Sequence, residues 1–116
     1  MWRGAVASAI RGKRGQAFLK EMLNALDAMP EHKLIANDLE NEGAVCALGA
    51  VGKARGADMA NIDPYDSVTV ASLFGVSDAL VREIAFVNDE YTCTNETPEQ
   101  RYSMMREWVQ KQIRAA

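Results

Sequence analysis

The sequence predicts an all-α fold, a compact single domain of five or six short helices spanning residues 1–116. Three observations carry this. Apolar residues recur at helical spacing in at least four segments, Thr97-Pro98-Glu99-Gln100 is a complete helix-start signal, and Gly43-Ala-Val-Cys-Ala-Leu-Gly-Ala-Val-Gly52 is apolar on every side. A helix apolar all round belongs inside its neighbours, so that last run is the expected centre of the fold.

Trp2, Val6, Ala9 and Ile10 fit one face of a first helix, and Arg11-Gly-Lys-Arg-Gly15 reads as a basic loop between two glycines. Gln16–Met29 is amphipathic, with Phe18, Leu19, Met22, Leu26 and Met29 on one side and Pro30 as its stop. Residues 31–43 favour a helical turn anchored by Leu34, Ile35 and Leu39. A short strand or hairpin near 33–45 is the alternative, since Asn41-Glu-Gly43 is a turn signal.

The central run is read as a short helix, or a helix with a lead-in. Gly49 and Gly52 permit close backbone approach, Lys53 and Arg55 fall in the last turn, and Gly56 can take the left-handed stop. After a connection over 57–62, Asp63 is placed as the cap and Pro64 as the first position of a helix ending at Gly75, with Val68, Ala71, Leu73 and Phe74 inward. Ser77 caps a helix from Asp78 to about Asn88, whose face is Leu80, Val81, Ile84 and Val87; Asp89 to Glu96 then reads as a loop. The last helix runs from Pro98 to about Ile113 with Tyr102, Met105, Trp108, Val109 and Ile113 inward.

Charge is segregated within a net of −3. Residues 1–20 hold Arg3, Arg11, Lys13, Arg14 and Lys20 and no acid, whereas residues 21–100 hold fifteen acids against Lys33, Lys53, Arg55 and Arg82. Residues 101–116 are basic again. Either the basic ends neutralise the acidic middle within the fold, or they form a patch for an anionic partner and the acids one for a cationic partner. No apolar run approaches the roughly 20 residues of a membrane helix, and Met1–Ile10 lacks the three-part pattern of a signal peptide. Cys46 and Cys93 show no pairing pattern, so free thiols and a cytoplasmic setting are expected.

Ala71-Ser-Leu-Phe-Gly75-Val-Ser-Asp-Ala-Leu-Val81-Arg-Glu-Ile84 has helix-turn-helix spacing: a small residue, Gly four later, and apolar residues six and nine beyond. A DNA-binding reading of residues 68–88 would use Ser77 and Arg82, helped by Arg11, Lys13 and Arg14, although Asp78, Glu83 and Asp89 oppose a polyanion. The bland reading is a tight helical corner. Gly12 and Gly15 lack the spacing of a phosphate-binding loop. At the end of the fifth helix, Asn88 is expected to cap, leaving Asp89 and Glu90 to meet a cation or a partner. A cysteine hydrolase would require Cys46 to meet His32, the one histidine, with Asn88 or Asp89 orienting it, but an apolar setting disfavours the thiolate. One His and two Cys make no zinc set, and no motif calls for a cofactor.

Taken in order, Arg11-Gly-Lys-Arg-Gly-Gln-Ala-Phe-Leu19, Leu34-Ile-Ala36, Val45-Cys-Ala-Leu-Gly-Ala-Val51, Ala54-Arg-Gly56, Phe74-Gly-Val76, Asn88-Asp-Glu90, Thr97-Pro-Glu99 and Met105-Arg-Glu-Trp-Val109 resemble small uncharacterised tailed-phage and prophage proteins from Arg11 to Ile113. A looser likeness, over Cys46–Ala50 and Asn88-Asp89, extends to a bacterial domain family of unknown function. The resemblance supplies no activity. It implies a non-catalytic accessory protein in an infected bacterial cytoplasm, binding and redirecting a host protein. A homodimer stays open, since no heptad run specifies one.

Overall fold

The computed structural model describes residues 2–90 and 97–113, with side chains described from Gly4 to Asp89 and from Thr97 to Ile113. The order is α1 (Trp2–Arg11), α2 (Lys13–Ala28), β1 (Glu40–Asn41), β2 (Ala44–Val45), α3 (Ala47–Arg55), α4 (Ser67–Phe74), α5 (Asp78–Glu90) and α6 (Pro98–Gln112). Among the described residues the fold is all-α with six helices and one short hairpin, as the sequence predicts. The core runs through α2, α3, α5 and α6, with Leu19, Met22, Leu26, Val51, Ile84 and Met105 among the fully buried side chains.

Several local signals act as the sequence indicates. Thr97 accepts from the Gln100 N–H, and Gln100 accepts from the Thr97 N–H, which closes the capping box of α6. Gly56 and Gly75 end α3 and α4 in the left-handed region, at φ 73° and 72°. The Ser77 hydroxyl accepts from the Leu80 N–H at the start of α5.

Four expectations are corrected. The basic stretch is not a loop: α1 and α2 meet at Gly12, and α2 starts at Lys13 rather than Gln16. A Cβ on Gly15 would lie 1.8 Å from the Ala9 carbonyl oxygen, so this glycine is there to let the two helices touch. Residues 31–43 do not form a helical turn. They run as irregular chain into the hairpin, whose two-residue turn has Glu42 at φ 52° and Gly43 at φ 86°. Positive φ at both positions is the turn geometry that follows strand twist, and it splits the apolar run into a strand and then a helix that starts at Ala47.

The third correction is at α4, which starts at Ser67. Its cap is Asp66, which accepts from the Thr69 N–H and hydroxyl; Asp63 instead accepts from the Tyr65 N–H in a local turn. Val68 consequently faces solvent at 66% exposure instead of packing inward. Fourth, α5 continues through Asp89 to Glu90, where a loop is expected. Trp108 and Ile113 are only partly buried against the core.

α3 fits its neighbours through its glycines. A Cβ on Gly49 would lie 1.8 Å from the Leu39 carbonyl oxygen, a backbone atom, while Gly52 abuts Met59. At the end of α3, Arg55 forms two 2.6 Å bonds to Glu21, donates to the Phe74 carbonyl, and lies 5.8 and 5.6 Å from the Phe18 and Phe74 rings. One guanidinium thus ties α2, α3 and α4 together and holds the Glu21 carboxyl below its ordinary range.

Gly49→Ala should therefore cost about 3 kcal/mol in denaturant unfolding, because the obstructing atom is backbone. Gly4→Ala, on an exposed part of α1 with nothing near its Cβ, should stay within about 1 kcal/mol of the parent on the stabilising side. Equal costs at both positions would refute the close-approach account.

Candidate functional site

The residues singled out from sequence separate into a packed knot and an exposed corner. Asn88 is the buried centre of the knot, at 1% exposure. It does not cap its own helix. Its Oδ1 accepts from the Ala47 N–H (3.1 Å), the first residue of α3, and its Nδ2 donates to the Ile35 carbonyl (2.9 Å) and to Asp89 Oδ1 (2.7 Å). Arg101 Nε donates to the Asn88 carbonyl, so α6 joins the same point. The Asn37 N–H donates to Asp89 Oδ1, and the Tyr65 hydroxyl donates to Asn37 Oδ1. Asn37 holds φ at 69°, which Asn tolerates better than most residues.

Cys46 is the N-cap of α3, and its Sγ accepts from the Gly49 N–H at 3.3 Å. Burial pushes the thiol up to about 11. Leu39, Leu48, Ile84, Asn88 and Asp89 share with it a pocket of about 20 Å³, the room of a single water. His32 is not among the lining residues; its ring stacks on Tyr102, 4.4 Å between centroids and 6° between planes. The structure thus brings Cys46 to Asn88 and Asp89 but not to His32. The Glu90 side chain and Cys93 lie outside the described residues. Among the described residues, no three His, Cys, Asp or Glu side chains converge on a common metal position, and no helix is long and apolar enough to cross a membrane.

The helix-turn-helix spacing corresponds to α4, the Gly75 turn and α5. A recognition helix must project one face into a groove, whereas α5 packs on α1, α3, α4 and α6. Between Asp78 and Asp89 only Arg82 and Phe86 are exposed. The Ser77 hydroxyl is used at the helix start, and Arg82 pairs with Asp78 (3.1 Å) and donates to Ser67 (3.2 Å). Val81, Ile84 and Val87 form the inward face of this corner.

One further concavity was not read from the sequence. It is a groove of about 600 Å³ between the C-terminal half of α2, α3 and the hairpin. Ala25, Val45 and Ala50 are buried in its floor; Ala28, Ala44 and Ala54 form exposed walls. Glu31, Lys33, Glu42 and Lys53 stand around it, and Lys53 donates to the Gly43 carbonyl. The groove exists because alanines face one another where larger side chains would fill the space. The spacing of Ala25 and Ala28, and of Ala50 and Ala54, is the signal that could have revealed it.

Comparison with family models, curated proteins and solved structures finds no significant match to this chain. Its class is thus given by its own architecture, a six-helix all-α domain with one β-hairpin closing a groove.

Two outcomes follow from the knot. Asn88→Ala would leave the Ala47 N–H and Ile35 carbonyl without their partner inside the protein, and should cost about 2–4 kcal/mol in denaturant unfolding. In a Cys93→Ser background, Cys46 should resist a disulfide reagent at about pH 8 and react at least about 100-fold faster once unfolded. Rapid labelling of the native protein would contradict the burial of this thiol.

Proposed function

We propose that this protein is a phage or prophage accessory protein of the bacterial host cytoplasm, a non-catalytic module that works by binding a host protein. The observation that carries the reading is the groove between α2, α3 and the hairpin. Its volume of about 600 Å³ lies in the usual range of ligand sites. Its floor is aliphatic, and both signs of charge stand on its rim. An apolar centre within a polar rim is the layout of a protein interface, and the groove accepts one apolar side chain or a short segment of the partner. A small polar substrate would instead need polar groups converging on the floor, where Ala25, Val45 and Ala50 lie.

The non-catalytic part of the reading is supported by the chemistry of the candidate nucleophile. Cys46 is held as a protonated thiol by burial and serves as a helix cap, and the histidine is engaged with Tyr102. The phage origin rests on the ordered motifs between Arg11 and Ile113.

The test fills the groove from its exposed walls. Tagged wild type, Ala28→Phe and Ala54→Phe are recovered from nuclease-treated bacterial lysate and read by native mass spectrometry. A stoichiometric host protein should accompany the wild type and be lost from both variants, whose stability should change by only about 0.5 kcal/mol. A partner kept by both filled variants would move the interface elsewhere. An empty capture by the wild type would count against the binding-module reading itself.

A further inference from the structure

The basic N-terminal segment is not neutralised within the fold. Arg11, Lys13, Arg14 and Lys20 are all exposed, and no ion pair joins any of them to a described carboxylate. The basic C-terminal helix behaves differently: Arg106 pairs with Asp27 at 2.6 Å and Lys111 with Glu107 at 2.9 Å. Glu21, the acid next to Lys20, is already bonded twice to Arg55. Gathering four like charges on one corner raises its potential, and the contact between the helices uses Gly12, Gly15 and Gln16, which donates to the Ile10 carbonyl, rather than an ion pair of these cations.

We propose that this α1–α2 corner is a second binding surface, independent of the groove, which takes the phosphate backbone of double-stranded DNA without reading its sequence. The charge pattern selects a polyanion. A protein partner would be expected to find an apolar anchor; among the described residues the exposed neutral ones of the corner are Ser8, Gly12 and Ala17, Ile10 is half-buried against the core, and the large exposed hydrophobics Tyr65, Val68 and Phe86 lie in the loop before α4, on α4 and on α5. Single strands are held by stacking bases on aromatic rings, which the described corner also lacks.

Geometry favours the B-form duplex. Lys13 and Lys20 are two turns apart, about 10 Å along α2. An exposed helix face carrying charges at that span is matched to a major groove about 12 Å wide, which admits a helix, whereas the deep, narrow major groove of duplex RNA does not. Glu42 of the hairpin lines the groove beside the C-terminal part of α2, near Ala25 and Ala28, whereas Lys13 and Arg14 lie in its first turn.

The experiment is a fluorescence anisotropy titration of the full chain on a labelled DNA duplex of about 20 base pairs across a salt series. Four phosphate contacts predict a slope of log K against log salt of about −3.6. The Lys13→Gln/Arg14→Gln variant should bind at least about tenfold more weakly at low salt, with the slope reduced in magnitude by about two. Arg82→Ala should bind as the wild type does, and an unrelated duplex sequence should bind within about threefold. Thermal melting of each variant reports whether it is folded; these exposed positions should leave stability within about 0.5 kcal/mol.

Absence of binding at low salt, or a double variant that binds like the wild type, would overturn the proposal. So would loss of binding in Arg82→Ala, which would return the contact to α5. Equal affinity for duplex RNA or for polyglutamate would overturn the assignment to DNA. Groove-filled Ala54→Phe should bind the duplex normally, which separates failure of this inference from failure of the protein-binding reading.

Discussion

The first turn of α3 lies inside the protein, so its N–H groups must be met by protein atoms. No residue with the usual capping oxygen precedes it. The thiol of Cys46 takes the Gly49 N–H, and the side chain of Asn88, forty-one positions away, takes that of Ala47. Since the amide of Asn88 also donates to Ile35, the same side chain sets the strap that leads from α2 into the hairpin. Gly49 then lets Leu39 close over α3 at a distance no side chain allows. Three elements remote in sequence thus meet in one arrangement, and substituting either Asn88 or Gly49 disturbs all three.

That arrangement explains which parts of the fold are legible in the sequence. Signals that are local in both cause and effect are readable: the Thr97 box, the left-handed stops at Gly56 and Gly75, and the apolar face of α2. The hairpin is obscured because composition does not change across it. Gly43 to Gly52 is uniformly small and apolar, yet a two-residue turn makes its first part a strand. Asp63 and Asp66 are equally competent caps, and the choice between them depends on where Tyr65 reaches Asn37. Asn88 is the plainest case. Its local reading as a helix cap is chemically sound, but its partners come from tertiary structure, and nothing in the adjacent sequence encodes them.

The same reasoning separates structural polar residues from those left over. Asn88, Asp89, Asn37 and Tyr65 form a continuous hydrogen-bonded chain, and Arg55 and Arg106 are held by carboxylates on α2. These groups have packing reasons to be where they are. The groove alanines and the cations at the α1–α2 corner have none that the fold supplies. Small residues facing one another across α2 and α3 forgo burial that larger ones would gain, and like charges on one corner repel. Features that the fold would be more stable without are where a binding role has explanatory force.

Charge and packing also distinguish the two surfaces that the sequence offers to an anionic partner. The helix-turn-helix spacing around Gly75 draws attention to α5, but that spacing encodes how two helices cross and nothing about which face stays outside. With α1, α3, α4 and α6 around it, α5 uses its apolar positions to hold the core and leaves only a narrow strip at Arg82 and Phe86. The cations that sequence reading assigned to a supporting role lie on helices whose outer faces are open, and they lack the intramolecular partners that hold Arg55 and Arg106. An electrostatic contact requires a charge that the fold leaves uncompensated, and among the described residues Arg11, Lys13, Arg14 and Lys20 are exposed cations with no carboxylate partner.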